Sequence, residues 1–386
     1  MGKTTVTMID SASGNEYSIL LCTALHEVGA NVILISPANR KLNAPIEFEI
    51  KLWMPTKDPE HNKFKKLLDY IKYQLKVFIH TMQQDKNHHV LHFQFFRIEK
   101  FEALLIFFLR ILGIKMVFTA HNVVPHENSK IDIFFRKIIY DSVSSIIVHS
   151  QYIKNKLINR FKIDPQKVMI VPHGNFDHYV PEETIPQKQA RSTLGLNQED
   201  KVLLFFGYIR EYKGVDLLLD AFKICSQQDE QLKLVIAGKP FSQELEDRYK
   251  KMIADIPSKD AIFFDANYIP FEKVPLYFSA ADVIILPYKD IDHSGIIYLA
   301  YSFGLPIIAT NVGDFSETIE HGKSGYLLEE KSAESLSDTI LTATTDGEKL
   351  ASMGAYAQDL SNKKYSWNII AKNTRAIYEE FTQTDP

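Results

Sequence analysis

Hydrophobic positions along this chain follow two alternating patterns. Short, nearly continuous runs of Val, Ile, Leu and Phe, such as residues 31–36 and 283–288, are each followed by longer stretches in which apolar residues recur every three or four positions. The first pattern is typical of strands buried on both faces of a parallel sheet, and the second is typical of amphipathic helices. Their alternation predicts an α/β protein with doubly wound parallel sheets.

The same order of elements occurs twice. We predict first-half strands at TVTMID, NVILIS, VLHFQ, KMVFTAH, SIIVHS and VMIVPHG, and second-half strands at KVLLFFGYI, LKLVIAG, AIFFDA, DVIILPY, LPIIAT and GYLLE. Residues 175–196 separate the halves, and their prolines and charges without a long apolar period indicate a linker and the first helix of a second domain.

Two Rossmann-like domains are therefore expected, over residues 1–178 and 190–365. The last helical pattern, within residues 366–386, could pack back onto the first domain, and the sequence leaves this open. Ligands of open α/β sheets bind outside the carboxyl ends of the strands. A cleft between two such domains is thus the expected binding site.

Composition narrows the classes of function. The chain has 386 residues, a net charge of −4 and 24% charged residues, so a general nucleic-acid partner is not expected. Its two cysteines lie in apolar helical stretches and predict neither a disulfide framework nor a zinc site. The first residues lack a secretory pattern, and the longest apolar run, residues 103–109, is too short to cross a bilayer. We expect a cytoplasmic protein.

A cationic loop follows the first strand of the second half. In FFGYIREYKGVDLLLDAF, a strand ends at Gly207, Arg210 and Lys213 follow, and Gly214 precedes an amphipathic helix. Two fixed cations beyond a strand end can neutralise a diphosphate, although most loop cations are simply solvated.

A second loop in the same half, HSGIIYLAYSFGLP, places Ser294 and Gly295 at a helix start. Amides at a helix N-terminus attract anions, but Ser is also an ordinary N-cap residue. Together the two loops favour a phosphate site.

Several motifs in order, G-x-I-R-x-Y-K-G, ADVIILPY, SG…AYSFGLPIIATNVG and IEHGKSGYLL, resemble those of retaining glycosyltransferases of the GT-B fold, family four. The resemblance covers most of the chain. It implies a nucleotide-diphosphate-sugar donor held by the second domain and a glycan or lipid-linked glycan acceptor held by the first. It assigns the donor diphosphate to Arg210, Lys213 and the amides of Ser294 and Gly295. We also assign Tyr268 to the donor site.

The chain departs from this family at one pair of positions. The two glutamates that usually flank the second loop are replaced by Ile291 and Leu299. Asp290 and Asp292 lie beside the first position, and we include Asp292 in the predicted donor site. What replaces the glutamate pair stays open at the level of sequence.

Candidate residues in the first half lie after strands. His121 and Asn122 follow one strand, with His126 further along the loop, and a histidine there can bond a substrate hydroxyl. Family members carry a histidine at the His121 position beside the donor sugar, so the resemblance makes His121 a catalytic candidate. His92 and His173 also end strands, and a hinge role for His173 is equally plausible. Gly14 and Asn15, in the loop after the first strand, are predicted to contact the donor.

One predicted helix carries a basic amphipathic pattern. Residues 63–82 have apolar positions at helical spacing, and between them lie five lysines, at positions 63, 65, 66, 72 and 76. Packing of the apolar stripe on the protein's own sheet is one interpretation, and docking on anionic lipid is another. The two can coexist.

The resulting expectation is a retaining glycosyltransferase without a cofactor or metal, acting in the synthesis of a bacterial surface polysaccharide. Its cations replace a metal, since no DxD signature stands out after a strand. The alternatives are another GT-B enzyme, such as a nucleotide-sugar epimerase or a phosphorylase, and a non-catalytic sugar-nucleotide-binding subunit. No motif in the sequence identifies the base or sugar of the donor, the acceptor or the linkage. The oligomeric state is not predicted either.

Overall fold

The computed structural model describes residues 4–12, 16–40, 46–56, 62–123 and 130–382. The chain divides into two compact units. Unit 1 comprises Met1–Gly174 and Trp367–Pro386, and unit 2 comprises Asn175–Ser366. Residues 175–178, which the sequence pattern assigns to the first domain, belong to unit 2 because the backbone N–H of Asn175 donates to Tyr365 O at 2.7 Å.

Unit 1 contains a parallel sheet with the strand order β3-β2-β1-β4-β5-β6-β7. Its strands are β1 (Thr5–Asp10), β2 (Asn31–Pro37), β3 (Glu49–Met54), β4 (His89–Phe95), β5 (Lys115–Thr119), β6 (Ser145–Val148) and β7 (Val168–Ile170). Its helices are α1 (Tyr17–Glu27), α2 (Lys63–Met82), α3 (Glu99–Ile111), α4 (Lys130–Ser142) and α5 (Gln151–Phe161), with a 3-10 turn at Pro165–Lys167. The order of the strands reverses between β1 and β4, as in doubly wound folds.

The sequence pattern misses strand β3. This strand pairs in parallel with β2 at the edge of the sheet, with Leu34 opposite Ile50. Of its residues only Met54 is buried, and Glu49 and Lys51 lie along it. An edge strand that buries so little has no continuous apolar run, so the hydrophobic pattern gives no signal for it.

Unit 2 contains a second parallel sheet, in the order β10-β9-β8-β11-β12-β13. Its helices and strands follow in chain order: α6 (Gln187–Thr193), β8 (Lys201–Phe206), α7 (Val215–Cys225), β9 (Leu232–Ala237), α8 (Gln243–Ala254), β10 (Ile262–Asp265), α9 (Val274–Ala280), β11 (Val283–Leu286), α10 (Gly295–Ser302), β12 (Ile307–Thr310), α11 (Phe315–Thr318), β13 (Gly325–Leu328), α12 (Ala333–Thr345) and α13 (Gly347–Lys363). Short 3-10 turns lie at Asp177–Tyr179, Glu211–Lys213, Lys259–Ala261 and Phe271–Lys273. Both sheets confirm the predicted doubly wound α/β class.

The last helix, α14 (Trp367–Thr382), belongs to unit 1. Its buried face, which includes Ile370 and Tyr378, packs with residues of α1 in one hydrophobic cluster. The Arg375 guanidinium donates to the Val28 carbonyl just after α1. The chain therefore returns to its first sheet after completing the second.

Candidate functional site

The reversal of strand order in unit 2 lies between β8 and β11, and this is where doubly wound sheets bind ligands. The loops after these two strands touch each other. The N–H of Lys289 donates to Tyr212 O at 2.7 Å. Gly214 has a left-handed φ of 69°, and a Cβ there would lie 1.9 Å from Pro287 O, so only glycine fits. The two loops that carry the predicted phosphate residues are thus one surface.

Arg210 and Lys213 differ from their cationic neighbours in having no carboxylate partner among the described residues. Nearby, Arg248 pairs with Glu211 at 2.8 Å, and Lys289 pairs with Asp216 at 2.6 Å. Instead, the Arg210 guanidinium lies 4.6 Å above the Phe241 ring. The loop therefore presents two charges that the described residues leave unneutralised.

Lys213 is held in a poorly solvated position. Its Nζ lies 5.5 Å from the centre of the buried Tyr288 ring. Burial lowers the pKa of Lys213 to about 8; Tyr212 opposes that shift, and Arg210 adds to it. An anion beside the ammonium would restore the charged form, so this lysine is electrostatically suited to a phosphate.

Ser294 and Gly295 start α10, as predicted, beside the same surface. The Ser294 side chain is buried and does not cap the helix. It lies instead next to the Tyr288 hydroxyl, and burial raises the pKa of Tyr288 above its usual range. Tyr288 thus lies beside both Lys213 and Ser294. The structure brings the predicted cations and the predicted helix start together in unit 2.

The loop before α10 is braced by the loop after β12. Gly313 has a left-handed φ of 57°, and a Cβ there would lie 2.2 Å from Ile291 O. The N–H of Asp314 also donates to Asp292 O at 3.3 Å. This close approach of two backbones fixes where α10 begins.

The positions that replace the glutamate pair are apolar in structure as well as in sequence. Leu299 is buried on α10, and Ile291 is half-buried and packs against the same core. Asp290 is exposed, and Asp292 is half-buried. The buried carboxylate next to the start of α10 belongs to Asp314, which the sequence analysis did not consider.

Tyr268 lies on the surface after β10, with 61% of its area exposed. Tyr208 after β8 is also exposed, and the two ring centres lie 6.1 Å apart. Exposed aromatic rings that follow two strands of one parallel sheet can stack on a planar ligand group. Tyr208 is a candidate that sequence analysis missed.

In unit 1, His121 follows β5 and is enclosed by neighbours. Its Nε2 lies 2.9 Å from Gln94 Oε1, and its Nδ1 lies 3.2 Å from His149 Nε2. The Phe95 ring stacks on one face at 4.4 Å, and the Tyr17 ring meets it edge-on at 4.7 Å. The imidazole is therefore held in one orientation, with partners at both ring nitrogens.

Other polar side chains follow the neighbouring strands. His149 follows β6, and its Nδ1 lies 3.0 Å from Val171 O. His173 follows β7, with its ring centre 5.3 Å from that of His149. His92 is fully buried within β4, and burial lowers its pKa to about 3. Gln94 and His149 are not predicted from the sequence, where their only signal is a position near the ends of β4 and β6, the two strands that flank β5.

The loop after β1 contains the predicted donor contacts Gly14 and Asn15, which lie outside the described residues, as does His126. The residues at the start of this loop, up to Ala12, are among those that the structure describes. The buried Asp10 at the end of β1 pairs with Arg40 and accepts from the N–H of Ala12 at 2.8 Å. Burial raises the pKa of Asp10, and Arg40 opposes that shift.

Two further features bear on function. Among the described residues, no group of three or more His, Cys, Asp and Glu side chains is arranged to hold a metal ion. None of the helices in the described ranges combines the length and apolarity needed to cross a lipid bilayer.

Two family models match the chain. The model of "Glycosyltransferase Family 4" matches residues 15–175, and that of "Glycosyl transferases group 1" matches residues 186–360. Together they span both units.

Individual relatives are more distant. The chain is 27% identical to spore coat protein SA of Bacillus subtilis over 63% of this chain and 67% of that protein. It is 25% identical to D-inositol 3-phosphate glycosyltransferase of Corynebacterium glutamicum over 69% of this chain and 67% of that protein.

Solved structures share the fold. Anabaena HepE in complex with UDP and glucose has a TM-score of 0.76 and 15% identity, over 98% of this chain and 100% of that chain. Sucrose-phosphate synthase of Thermosynechococcus elongatus has a TM-score of 0.74 and 18% identity, over 99% and 100%.

Proposed function

Because this chain belongs to glycosyltransferase family 4 and has the GT-B fold, we propose that it transfers a sugar from a nucleotide-diphosphate donor to a glycan or lipid-linked glycan, with retention of configuration. The observation that carries the proposal is the joined surface in unit 2. There Arg210 and Lys213 lack carboxylate partners among the described residues, beside the uncapped start of α10.

The chemistry of this surface suits the departure of a diphosphate. When the bond between the sugar C1 and the diphosphate oxygen breaks, negative charge grows on that oxygen. Fixed cations and helix amides stabilise such charge without reorganising. The new bond joins C1 to the acceptor oxygen, and the acceptor proton passes to the departing diphosphate on the same face. In this proposal Arg210 and Lys213 take the role of a metal, so the reaction needs no metal and no cofactor.

Donor recognition would extend along the carboxyl edge of unit 2. Tyr268, with Tyr208 beside it, provides aromatic surface for the base. Asp292, Ser294 and Gly295 lie at the start of α10, where the diphosphate and sugar would bind. The HepE complex contains UDP and glucose in the same fold, which supports a nucleotide-sugar donor for this chain.

A lipid-linked acceptor would place the enzyme at a membrane surface, and helix α2 supports that arrangement. Only the end of the apolar stripe read from the sequence, Phe78 and Met82, packs against the core of unit 1. The apolar residues that α2 buries fully are Tyr70, Tyr73 and Val77. The rest of the stripe is exposed, with Phe64 70% and Leu75 56% accessible.

The exposed apolar surface continues onto the adjacent helices, because α3 contacts both α2 and α4. Its exposed side chains are Phe64, Leu67, Leu68, Ile71, Leu75 and Ile79 on α2, Leu104, Phe107, Phe108 and Ile111 on α3, and Ile131 and Phe134 on α4. Apolar surface of this extent on a monomer is typical of an interaction site.

The charges beside this surface favour an anionic lipid as its partner. The five lysines of α2, at positions 63, 65, 66, 72 and 76, are all exposed, and Asp69 is the one acidic residue of that helix. A basic rim around apolar side chains matches the headgroups and acyl boundary of an anionic leaflet. We infer that unit 1 docks peripherally on the inner face of the membrane, where a surface polysaccharide would be assembled.

The proposed reaction can be tested in two stages. A thermal-shift series with UDP-, GDP- and ADP-sugars should raise the melting temperature with one nucleotide, because ligand binding stabilises the folded state. Transfer from that donor to lipid-linked acceptors is then followed in EDTA, and the anomeric configuration of the product is read by NMR. Retention without added metal supports the proposal.

Other outcomes point to the alternatives. Inversion, or activity only with a divalent metal, would contradict the proposed mechanism. Binding without any turnover, including hydrolysis, would indicate a non-catalytic subunit. Conversion of the free nucleotide sugar to an epimer would indicate an epimerase, and absorbance of a bound pyridoxal group would indicate a phosphorylase.

Docking is tested separately by co-sedimentation with vesicles. Binding to vesicles with anionic lipid, absent with neutral vesicles and lost in high salt, supports it. Lys65→Glu with Lys66→Glu and Lys72→Glu should weaken binding. The matched control exchanges Lys223, Lys233 and Lys251 of unit 2 for Glu, with the same change in net charge. Equal recovery in the supernatant with both vesicle types, or equal loss in both variants, would contradict docking by α2.

A further inference from the structure

The hydrogen-bonding side chains at the carboxyl edge of unit 1 form a continuous chain. Tyr378 Oη lies 2.5 Å from His92 Nδ1, and His92 Nε2 lies 3.1 Å from the Gln94 amide nitrogen. The same amide group contacts His121, and His121 contacts His149, whose Nδ1 reaches Val171 O. These contacts connect α14, β4, β5 and β6 in series.

The end of the chain sets its direction. Val171 O is a carbonyl and can only accept, so His149 Nδ1 must carry a proton. In neutral His149 the other nitrogen, Nε2, is then an acceptor. His121 Nδ1, 3.2 Å away, must therefore donate to it.

The rest of the chain follows the same direction. Neutral His121 with a proton on Nδ1 has a lone pair on Nε2, which needs a donor. Gln94 supplies one if its amide is turned by 180°, since amide oxygen and nitrogen are assigned from the network of partners. Its oxygen then accepts from His92 Nε2 at the cost of the weak 3.2 Å contact with Met8 Sδ.

Tyr378 and His92 complete the chain in states that fit their surroundings. Burial raises the pKa of Tyr378 well above its usual range, so its hydroxyl keeps the proton that it donates to His92 Nδ1. His92 Nε2 can also donate to Thr119 Oγ1 at 2.8 Å. With this direction every member of the chain has a partner in its neutral form, and hydrogen bonds in such series strengthen one another.

We propose that His149 is a positioning residue that holds neutral His121 with its proton on Nδ1, so that His121 Nε2 can exchange Gln94 for a substrate hydroxyl. Phe95 and Tyr17 hold the orientation of the His121 ring, whereas His149 determines which ring nitrogen carries the proton. The role in transfer rests on the proposed function, but the tautomer of His121 does not.

The tautomer can be measured on the full chain without substrate. In protein labelled with ¹⁵N-histidine, long-range ¹H–¹⁵N correlation distinguishes protonated from unprotonated ring nitrogens, and His121→Gln identifies the signals of His121. We expect a protonated Nδ1 and an unprotonated Nε2. His149→Leu should abolish this pattern. His149→Gln should preserve it, because the amide can accept from His121 and donate to Val171 O.

The matched control is His173→Gln, since His173 follows β7, the strand next to β6, and its Nδ1 lies 2.6 Å from Gly174 O. It should leave the His121 signals in place. Fluorescence of Trp53 and Trp367, both in unit 1, verifies that each variant is folded. A proton on His121 Nε2 in the unmodified chain, a doubly protonated ring, or an unchanged pattern in folded His149→Leu would overturn the proposal.

Activity provides a second measurement. We expect His149→Leu to lower kcat about tenfold or more with little change in donor KM, as when an imidazole loses the partner that sets its tautomer. His149→Gln should restore most of the rate. If the unmodified chain transfers no sugar, the proposed function fails while the NMR result still decides the tautomer. Equal kcat in His149→Leu and the unmodified chain would overturn the positioning role.

Discussion

His293 Nδ1 lies 2.6 Å from Asp314 Oδ2, and both side chains are almost fully buried. This contact ties the residue that precedes Ser294 to the loop after β12. The sequence offers Asp290 and Asp292 as replacements for the missing glutamates, yet the carboxylate that braces the start of α10 comes from the next strand loop. It reaches this place because β11 and β12 are parallel neighbours.

Removing this brace should affect unit 2 specifically. In Asp314→Ala the His293 imidazole loses its contact with this carboxylate, so we expect the free energy of unfolding to fall by about 1–3 kcal/mol. Nucleotide affinity should fall as well, because the first turn of α10 is less fixed. Asp314→Asn retains an acceptor and should lose less. Urea unfolding followed by circular dichroism measures the first effect, and calorimetry measures the second. Identical values for Asp314→Ala and the unmodified chain would exclude a bracing role.

Arg210 and Lys213, which have no carboxylate partner among the described residues, should dominate diphosphate affinity. Arg210→Ala and Lys213→Ala are each expected to weaken nucleotide-diphosphate binding by roughly ten- to a hundredfold, since a hydrogen bond to a charged group contributes about 1.5–3 kcal/mol. The matched control is Arg248→Ala, which removes a nearby cation already paired with Glu211. Isothermal calorimetry measures the affinity of each variant for the nucleotide diphosphate. An equal loss of affinity in all three variants would indicate only a general effect of removing positive charge.

The lowered pKa of Lys213 predicts a pH dependence of donor binding. Below a pKa of about 8 the side chain is an ammonium and attracts the diphosphate, whereas above it the neutral amine does not. Affinity should therefore fall as the pH rises from 7.5 to 9.5, by up to about tenfold per pH unit. Lys213→Arg stays charged throughout, so the difference between its profile and that of the unmodified chain isolates this group. Parallel profiles would show that Lys213 does not bind the diphosphate.

His121 is expected to act on transfer rather than on donor diphosphate binding. His121→Ala should leave nucleotide affinity nearly intact, because the diphosphate residues belong to unit 2. It should lower kcat by about a hundredfold or more, because no imidazole then holds the substrate hydroxyl in place. His88→Ala, at a half-buried position next to β4, serves as the control. Undiminished turnover in His121→Ala would reduce it to a structural residue of the loop.

Unit 1 should become less stable in acid because it buries neutral histidines. Burial lowers the pKa of His89 to about 4, and its Nε2 bonds Thr7 Oγ1 at 2.9 Å. The unfolded chain binds this proton below a pKa of about 6.5 and the folded chain does not until about pH 4. The free energy of unfolding should thus fall by up to about 3 kcal/mol as the pH drops through that window.

Tryptophan fluorescence can follow this loss, because both tryptophans, Trp53 and Trp367, lie in unit 1. His89→Gln can still bond Thr7 but does not titrate, so its unfolding free energy should depend less on pH between 6.5 and 4. His88→Gln should keep the full dependence. A slope that is unchanged in His89→Gln would assign the acid sensitivity to other groups.

The local pattern of the sequence determined the strands that are buried on both faces, the cationic loop after β8 and the helix start at Ser294. In each case the signal lies within a few neighbouring residues, since burial on both faces requires a continuous apolar run and a phosphate loop requires particular residue types. The predicted second-half strands at residues 201–206, 232–237 and 307–310 are therefore present.

Tertiary structure decided what depends on residues far apart in the chain. The sequence does not decide which face of α2 packs against the sheet. In the structure the face that carries Tyr70 and Tyr73 is buried, and most of the apolar stripe lies on the opposite, exposed face. Asp314 reaches His293, and His149 reaches His121, only because parallel strands bring their carboxyl ends to one edge of a sheet. Periodicity fixes which side chains share a face, but the partner of that face is set by packing between elements distant in sequence.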